Sequence, residues 1–102
     1  MGQSLYFAQV DLLNGEAAPF TGSWVPMARS RDSLYSTYSN GSGSVKLQYE
    51  SPFFAGEGIE FYDISIASSG YGTPTFSTSP MAHVRAVAEG TGNFWCSITQ
   101  QN

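Results

Sequence analysis

The chain has 102 residues, including 7 Phe, 6 Tyr, 2 Trp and 11 Gly, and only 12% of them are charged. The formal net charge is −4, and four scattered cations cannot form the basic patch with which proteins neutralise nucleic-acid phosphates. A single cysteine cannot make an internal disulfide, and no apolar run reaches the ~18–20 residues of a membrane helix. Composition therefore favours one β-rich domain, with no nucleic acid and no membrane among its partners.

The N-terminal part of the chain carries an apolar stretch, Leu5-Tyr6-Phe7-Ala8. We predict that it is either a first strand reaching Val10 or an arm laid over a neighbouring molecule. The first residues lack the basic region and the long apolar segment of a signal peptide. The single cysteine fits a protein folded in a reducing cytoplasm. Residues 1–20 are accordingly predicted to be an N-terminal segment and candidate docking arm, and residues 21–102 a β-sandwich domain.

In the middle of the chain, apolar and polar residues alternate, which predicts strands. These strands are expected over residues 22–26, 33–38, 45–49 and 59–66. In the last of them the apolar side changes between Phe61 and Ile64, which predicts a bulge near Tyr62-Asp63. The stretch 68–80 is rich in Gly, Ser, Thr and Pro and is predicted to be a loop.

The end of the chain reads as two further strands, over residues 82–88 and 94–99, joined by a Gly-rich turn. This pattern predicts a C-terminal antiparallel hairpin in which Val84, Ala86 and Ala88 lie opposite Phe94, Cys96 and Ile98. Seven or eight short strands at this spacing are typical of an antiparallel β-sandwich or a jelly roll. We therefore predict a single all-β sandwich with jelly-roll-like topology.

Few residues are candidates for catalysis or metal binding. His83 is the only histidine and lies in a predicted strand, with no nucleophile elbow around any serine. Cys96 has the parity of a core residue, and free cysteines commonly behave as small buried hydrophobes. One His and one Cys cannot fill a four-ligand zinc site, so we expect no cofactor and no catalytic residue.

Three carboxylates lie close together in the sequence, at Glu57, Glu60 and Asp63. We interpret them as solvated charges at a strand edge. Calcium binding and an acid/base pair remain as alternatives, although no calcium-loop pattern accompanies them.

Aromatic residues are the remaining functional signal. A sandwich of this size can bury only about half of its aromatic rings, because the inner faces of the sheets lie about 10 Å apart. Exposed aromatic clusters mark contacts with proteins or sugars. Trp95 is the leading candidate because its parity is opposite to that of Phe94 and Cys96; the alternative is that the domain's own loops cover it. Phe53-Phe54 and Leu5-Tyr6-Phe7 are the candidate docking elements.

Three stretches resemble small β-sandwich proteins of bacteriophage virion surfaces. They are Gly43-Ser44-Val45-Lys46-Leu47-Gln48-Tyr49-Glu50-Ser51, His83-Val84-Arg85-Ala86-Val87 followed by Gly90-Thr91-Gly92-Asn93-Phe94-Trp95, and Gly22-Ser23-Trp24-Val25-Pro26. The resemblance is one of pattern and covers about two-thirds of the chain. It implies a head-decoration or cement protein, or a piece of a tail fibre, often with jelly-roll topology related to carbohydrate-binding modules.

From this resemblance we expect a non-enzymatic structural protein located at the capsid surface of a phage virion and made in the host cytoplasm. The expected partners are the major capsid protein or another virion protein, and further copies of the chain in a homo-oligomer. The predicted partner-binding residues are Leu5, Tyr6, Phe7, Phe53, Phe54 and Trp95. The alternative is a carbohydrate-binding module of a tail or surface fibre, for which we expect two or three exposed, roughly coplanar rings flanked by polar side chains.

Overall fold

The computed structural model describes residues 7–27, 32–78 and 83–101, and all regular structure within these ranges is β-strand. The strands are β1 (Phe7–Ala17), β2 (Phe20–Thr21), β3 (Val25–Pro26), β4 (Asp32–Ser39), β5 (Ser42–Glu50), β6 (Gly58–Ile66), β7 (Gly70–Tyr71), β8 (Thr75–Thr78), β9 (His83–Thr91) and β10 (Asn93–Gln101). The described residues include no helix with the length and apolar character needed to cross a membrane.

The strands form two antiparallel sheets that pack together as the predicted β-sandwich. Sheet I has the order β1-β10-β4-β7, with β8 also paired to β4. Sheet II has the order β2-β9-β5-β6, with β3 also paired to β9. If β2 with β3 and β7 with β8 are each counted as one interrupted strand, the described residues form eight strands, the number found in jelly rolls. The finer jelly-roll topology stays a prediction.

The core lies between the two sheets and is built from alternate residues of each long strand. In β4 the residues Ser33, Tyr35 and Thr37 face inward, while the residues between them are more exposed. The largest fully buried side chains include Tyr35, Phe94 and Leu47. Phe61 and Tyr62 of β6 lie against the Tyr35 ring, at centroid distances of 5.9 and 6.4 Å. Alternation in the sequence thus becomes one apolar layer, because successive side chains of a strand point to opposite faces.

At the N-terminal side, the structure changes the predicted division of the chain. β1 pairs with β10 along its whole length, from Phe7 opposite Gln101 to Ala17 opposite Asn93. The sandwich therefore begins by Phe7 and not at residue 21, because the backbone of residues 7–17 supplies an edge strand of sheet I. The rest of the candidate arm, residues 1–6, lies outside the described residues.

The predicted C-terminal hairpin requires a correction. β9 and β10 are consecutive but belong to different sheets, so they do not pair in a hairpin. Val84, Ala86 and Ala88 do share the core with Phe94, Cys96 and Ile98. The connection at Gly90–Gly92 therefore carries the chain from one sheet to the other. The apolar alternation in β9 and β10 reflects side chains that pack in one core, and the two strands are not hydrogen-bonded to each other.

Two further predictions concern β6 and the segment after it. The register of β5 and β6 shifts between Leu47–Tyr62 and Gln48–Glu60, so Phe61 is the additional residue and the predicted bulge lies there. The segment 68–80 is not a plain loop, because β7 and β8 lie within it and pair with β4.

Candidate functional site

Three aromatic rings lie side by side on the outer face of sheet I. Trp95 of β10 is directly opposite Tyr38 of β4, and Tyr38 is directly opposite Tyr71 of β7. The ring centroids are 5.4 Å apart for Tyr38 and Trp95 and 5.0 Å apart for Tyr38 and Tyr71. Opposite residues of paired strands project from the same face. The three rings, called the aromatic row below, therefore form a continuous surface across three strands.

The rings of this row differ in exposure and are not coplanar. Tyr71 is 84% exposed, whereas Tyr38 and Trp95 are half-buried. The indole of Trp95 lies over Gly15 of β1, where a Cβ atom would come within 3.2 Å of the ring. Neighbouring ring planes are tilted by 54° and 58°. Trp95 is thus on the outer face, as its parity predicts, but one side of it packs on its own sheet.

Polar side chains lie beside the aromatic row around a shallow depression of about 280 Å³. The polar lining residues that face outward are Asp11, Asn14, Ser36 and Ser97, and the lining also includes all three rings. On β1 and β10, Asp11 is opposite Ser97, and Ser97 is in turn opposite Ser36 on β4. The polar groups thus form a second cross-strand row next to the aromatic one. Within the described part of the chain, the lining includes one carboxylate and no cation.

The outer face of sheet II has a different chemistry. Lys46 Nζ lies 3.2 Å from a carboxylate oxygen of Glu89 and 3.9 Å from one of Glu60. The hydrogen bond and the charge of Glu89 raise the pKa of the Lys46 ammonium. Arg85 stacks 4.2 Å from the centroid of the Trp24 ring and donates from Nε to Gln48. Both cations of the described residues are therefore engaged on this face.

A second apolar surface lies in the loop between β5 and β6. Phe53 is 82% exposed and Phe54 is 63% exposed. The hydroxyl oxygen of Ser51 accepts hydrogen bonds from the backbone N–H groups of both residues, each at 3.1 Å. The carboxylate of Glu50 accepts another from the N–H of Gly56 at 2.9 Å. Residues 51–57, called the phenylalanine loop below, therefore present two rings on a backbone held by side-chain acceptors.

The aromatic row and the phenylalanine loop lie toward opposite ends of the sandwich. The row includes Tyr38, one residue before β4 ends and the chain passes into β5. The phenylalanine loop follows the other end of β5, nine residues further on. A nine-residue antiparallel strand is about 30 Å long. The predicted site residues Phe53 and Phe54 are thus brought together, and Trp95 is kept apart from them.

The residues considered for catalysis do not form a site. His83 Nδ1 is 3.5 Å from a carboxylate oxygen of Glu50, with its side chain half-exposed. Cys96 is 1% exposed, and burial, assisted by the charge of Asp11, raises the pKa of its thiol to about 12. Among the residues that the structure describes, no three His, Cys, Asp or Glu side chains are grouped to hold a metal ion.

The carboxylates of Glu57, Glu60 and Asp63 are exposed, as predicted for solvated edge charges. Glu60 has a defined neighbour in Lys46. Of the other predicted site residues, Leu5, Tyr6 and the side chain of Phe7 lie outside the described part of the chain.

Tyr38 and Tyr71 are the site residues that the sequence did not single out. Tyr38 has the parity opposite to Tyr35 in β4, so its position on the outer face follows once Tyr35 is known to be buried. Tyr71 lies in the stretch predicted to be a loop, where no alternation signals a strand.

Comparison with known proteins adds no assignment to this geometry. No family model, curated protein or solved structure matches the chain. The resemblance to phage virion-surface proteins therefore stays a prediction from the sequence pattern.

Proposed function

We propose that the protein is a non-enzymatic structural component of a phage virion that binds and stabilises the capsid surface. The observation that supports this role is the phenylalanine loop, in which two neighbouring rings are 82% and 63% exposed. Clustered exposed apolar side chains are unfavourable in water and commonly mark protein contacts. A capsid shell repeats the same subunit boundaries many times, so one apolar contact per copy is made many times over.

The backbone of the phenylalanine loop favours attachment through these rings. The hydroxyl oxygen of Ser51 accepts hydrogen bonds from the backbone N–H groups of Phe53 and Phe54. The carboxylate of Glu50 accepts one from the N–H of Gly56. Ordering a mobile loop on binding costs ~0.5–1.5 kcal/mol for each immobilised side chain. A loop already held by hydrogen bonds loses less entropy, so more of the apolar contact energy is retained as affinity.

The proposed partner is the major capsid protein or another virion protein. A protein that binds the assembled shell but not its free subunits stabilises the shell by mass action. Many copies on one shell act multivalently, and a homo-oligomer at a symmetry axis multiplies the contacts further. Residues Leu5, Tyr6 and Phe7 are proposed as a second docking element.

Co-sedimentation with empty shells of the parent virus tests the proposal. The wild-type protein is expected to bind at a fixed copy number per capsomer and to raise the melting temperature of the shell. The double variant Phe53→Ser/Phe54→Ser is expected to bind at least tenfold more weakly. Phe76→Ser is the matched control, because Phe76 is 70% exposed but lies on β8 of sheet I. Absence of wild-type binding, or equal binding by the double variant, would contradict the proposal.

The N-terminal docking element has its own test. Because β1 begins at Phe7, deletion of residues 2–6 leaves the edge strand in place. The shortened protein is expected to remain folded and to bind shells more weakly. Unchanged shell binding would show that these residues do not dock.

The alternative function, a carbohydrate-binding module of a tail or surface fibre, is favoured by a different observation. The aromatic row presents three adjacent rings, Trp95 among them, with hydroxyl, amide and carboxylate groups beside them. The rings are not coplanar, which departs from our expectation for such a module. A screen against immobilised glycans separates this function from shell binding.

A further inference from the structure

We infer that the outer face of sheet I binds a neutral saccharide, with the aromatic row as its stacking surface and the neighbouring polar row as its source of hydrogen bonds. This inference deepens the carbohydrate-binding alternative. It does not depend on attachment to a capsid, because the phenylalanine loop is at the other end of the molecule.

The rings of the aromatic row offer what one face of a sugar ring needs. The axial C–H groups of a pyranose form an apolar face with slight positive charge, and the face of an aromatic ring carries negative charge. Tyr71 is 84% exposed and therefore presents its ring to solvent. Tyr38 supports it at a centroid distance of 5.0 Å, so a sugar stacked on Tyr71 meets a ring of fixed position.

The tilt between the rings restricts the kind of saccharide. Successive ring planes differ by 54° and 58°. A flat crystalline polysaccharide surface requires rings in one plane and cannot contact all three. A single soluble chain rotates about its glycosidic bonds, so consecutive sugars can follow the tilted planes from Tyr71 towards Trp95. The row therefore fits a free oligosaccharide chain.

The polar row provides groups that match sugar hydroxyls. Ser36 and Ser97 carry hydroxyls that donate and accept, and the amide of Asn14 does both as well. The carboxylate of Asp11 accepts from sugar hydroxyls. The depression they line is about 280 Å³, just below the ~300 Å³ at which pockets for small molecules begin. This volume suits one or two sugar rings held at the centre of a longer chain.

Charge distinguishes the ligand from other stacking partners. Among the described residues, the lining of the depression holds the carboxylate of Asp11 and no Lys or Arg. Single-stranded nucleic acids also stack on aromatic rings, but they bind in positively charged grooves. Lys46 and Arg85, the two cations among the residues that the structure describes, lie on the other sheet in contacts of their own. A neutral saccharide therefore fits this face, whereas a sialylated or phosphorylated one is repelled.

An array of neutral oligosaccharides and their sialylated counterparts tests the inference, followed by titration of the strongest binder. We expect binding to neutral members and at least a tenfold rise in Kd for Tyr71→Ala. Phe76→Ala is the control, since Phe76 is an exposed ring on the same sheet outside the aromatic row, and its Kd should not change. Asp11→Asn should gain binding to sialylated members, because it removes the carboxylate that repels them.

Several outcomes would overturn the inference. These are no binding to any neutral member at millimolar concentration, an equal Kd for wild type and Tyr71→Ala, or preferred binding to acidic glycans. If Tyr71→Ala instead lowers the oligomeric mass in sedimentation, the row is a contact between copies of the chain. The Phe53→Ser/Phe54→Ser variant separates this inference from the capsid proposal. It should lose binding to shells and retain binding to the saccharide.

Discussion

On β10, neighbouring residues have opposite environments. Cys96 points into the core and is 1% exposed, while Trp95 lies half-buried on the outer face beside Tyr38. Burial raises the pKa of the thiol to about 12, so at neutral pH the group is protonated and is not a nucleophile. The thiol is therefore buried and protonated, whereas the ring of its neighbour Trp95 lies on the outer face.

The raised pKa of Cys96 predicts a loss of stability in alkali. In the unfolded chain the thiol loses its proton near pH 9, but in the folded protein it does so only near 12. Between these values the folded state holds the additional proton, so the free energy of unfolding falls by ~1.4 kcal/mol per pH unit from this group. Guanidinium unfolding of wild type and Cys96→Ala from pH 8 to 10.5 measures the effect. The wild-type curve should fall more steeply above pH 9, and parallel curves would contradict the prediction.

Individual residues also show how far the sequence determines this site. Alternation in β4 separates Tyr35 from Tyr38, and alternation in β10 separates Cys96 from Trp95. Alternation alone does not say which face is inward; the long-range packing of Tyr35 against Phe61 decides that. No alternation in the sequence marks Tyr71 as a strand residue. Its two-residue strand β7 forms by pairing with the edge of β4, and that long-range pairing leaves no local pattern in the sequence.

At the scale of elements, the connections between strands were the hardest to predict. The links from β4 to β5 and from β9 to β10 both cross from one sheet to the other. They support each other, because the N–H of Asn93 donates to the side chain of Asn40 at 2.8 Å. A tight hairpin turn and a crossing between sheets use the same Gly and Asn residues. The sequence around Gly90 is therefore compatible with both connections, and the structure forms the crossing.

Beside these crossings, Gly43 of β5 is paired with Gly90 of β9, and this pair predicts a sensitive position. Gly43 has a φ of 150°, and a Cβ there would come within 2.8 Å of Gly90 Cα. Gly43→Ala therefore combines backbone strain of ~1–3 kcal/mol with a clash between two strands. Gly56→Ala is the control, because Gly56 has a φ of 85° but open space around it. Urea unfolding should show a larger loss of stability for Gly43→Ala by at least ~1 kcal/mol, and equal losses would contradict this.

At the scale of the whole molecule, the outer faces of the two sheets differ in their chemistry. Sheet II carries the ion pairs of Lys46 and the stacked Arg85 on its outer face, so both cations of the described residues have partners there. Sheet I carries aromatic rings with mainly uncharged polar neighbours. The two-sheet sandwich was predictable from alternation and turn residues, but this division was not. It depends on which outer-face residues become neighbours, and that is set by strand order.

The separation of the two proposed surfaces predicts that they act independently. Sites more than ~7–10 Å apart with no shared partners usually give additive effects, and the length of β5 places about 30 Å between them. Shell binding and saccharide binding are measured for wild type, Phe53→Ser/Phe54→Ser, Tyr71→Ala and the triple variant. The phenylalanine substitutions should weaken shell binding alone, and Tyr71→Ala should weaken saccharide binding alone. In the triple variant, each loss of binding free energy should equal the loss in the corresponding simpler variant within ~0.5 kcal/mol. If bound saccharide changed the shell affinity more than twofold, the two surfaces would be coupled. In the described residues β5 pairs only with β6 and β9 and does not join the two surfaces by hydrogen bonds, so such coupling would have to pass through the packing of the core.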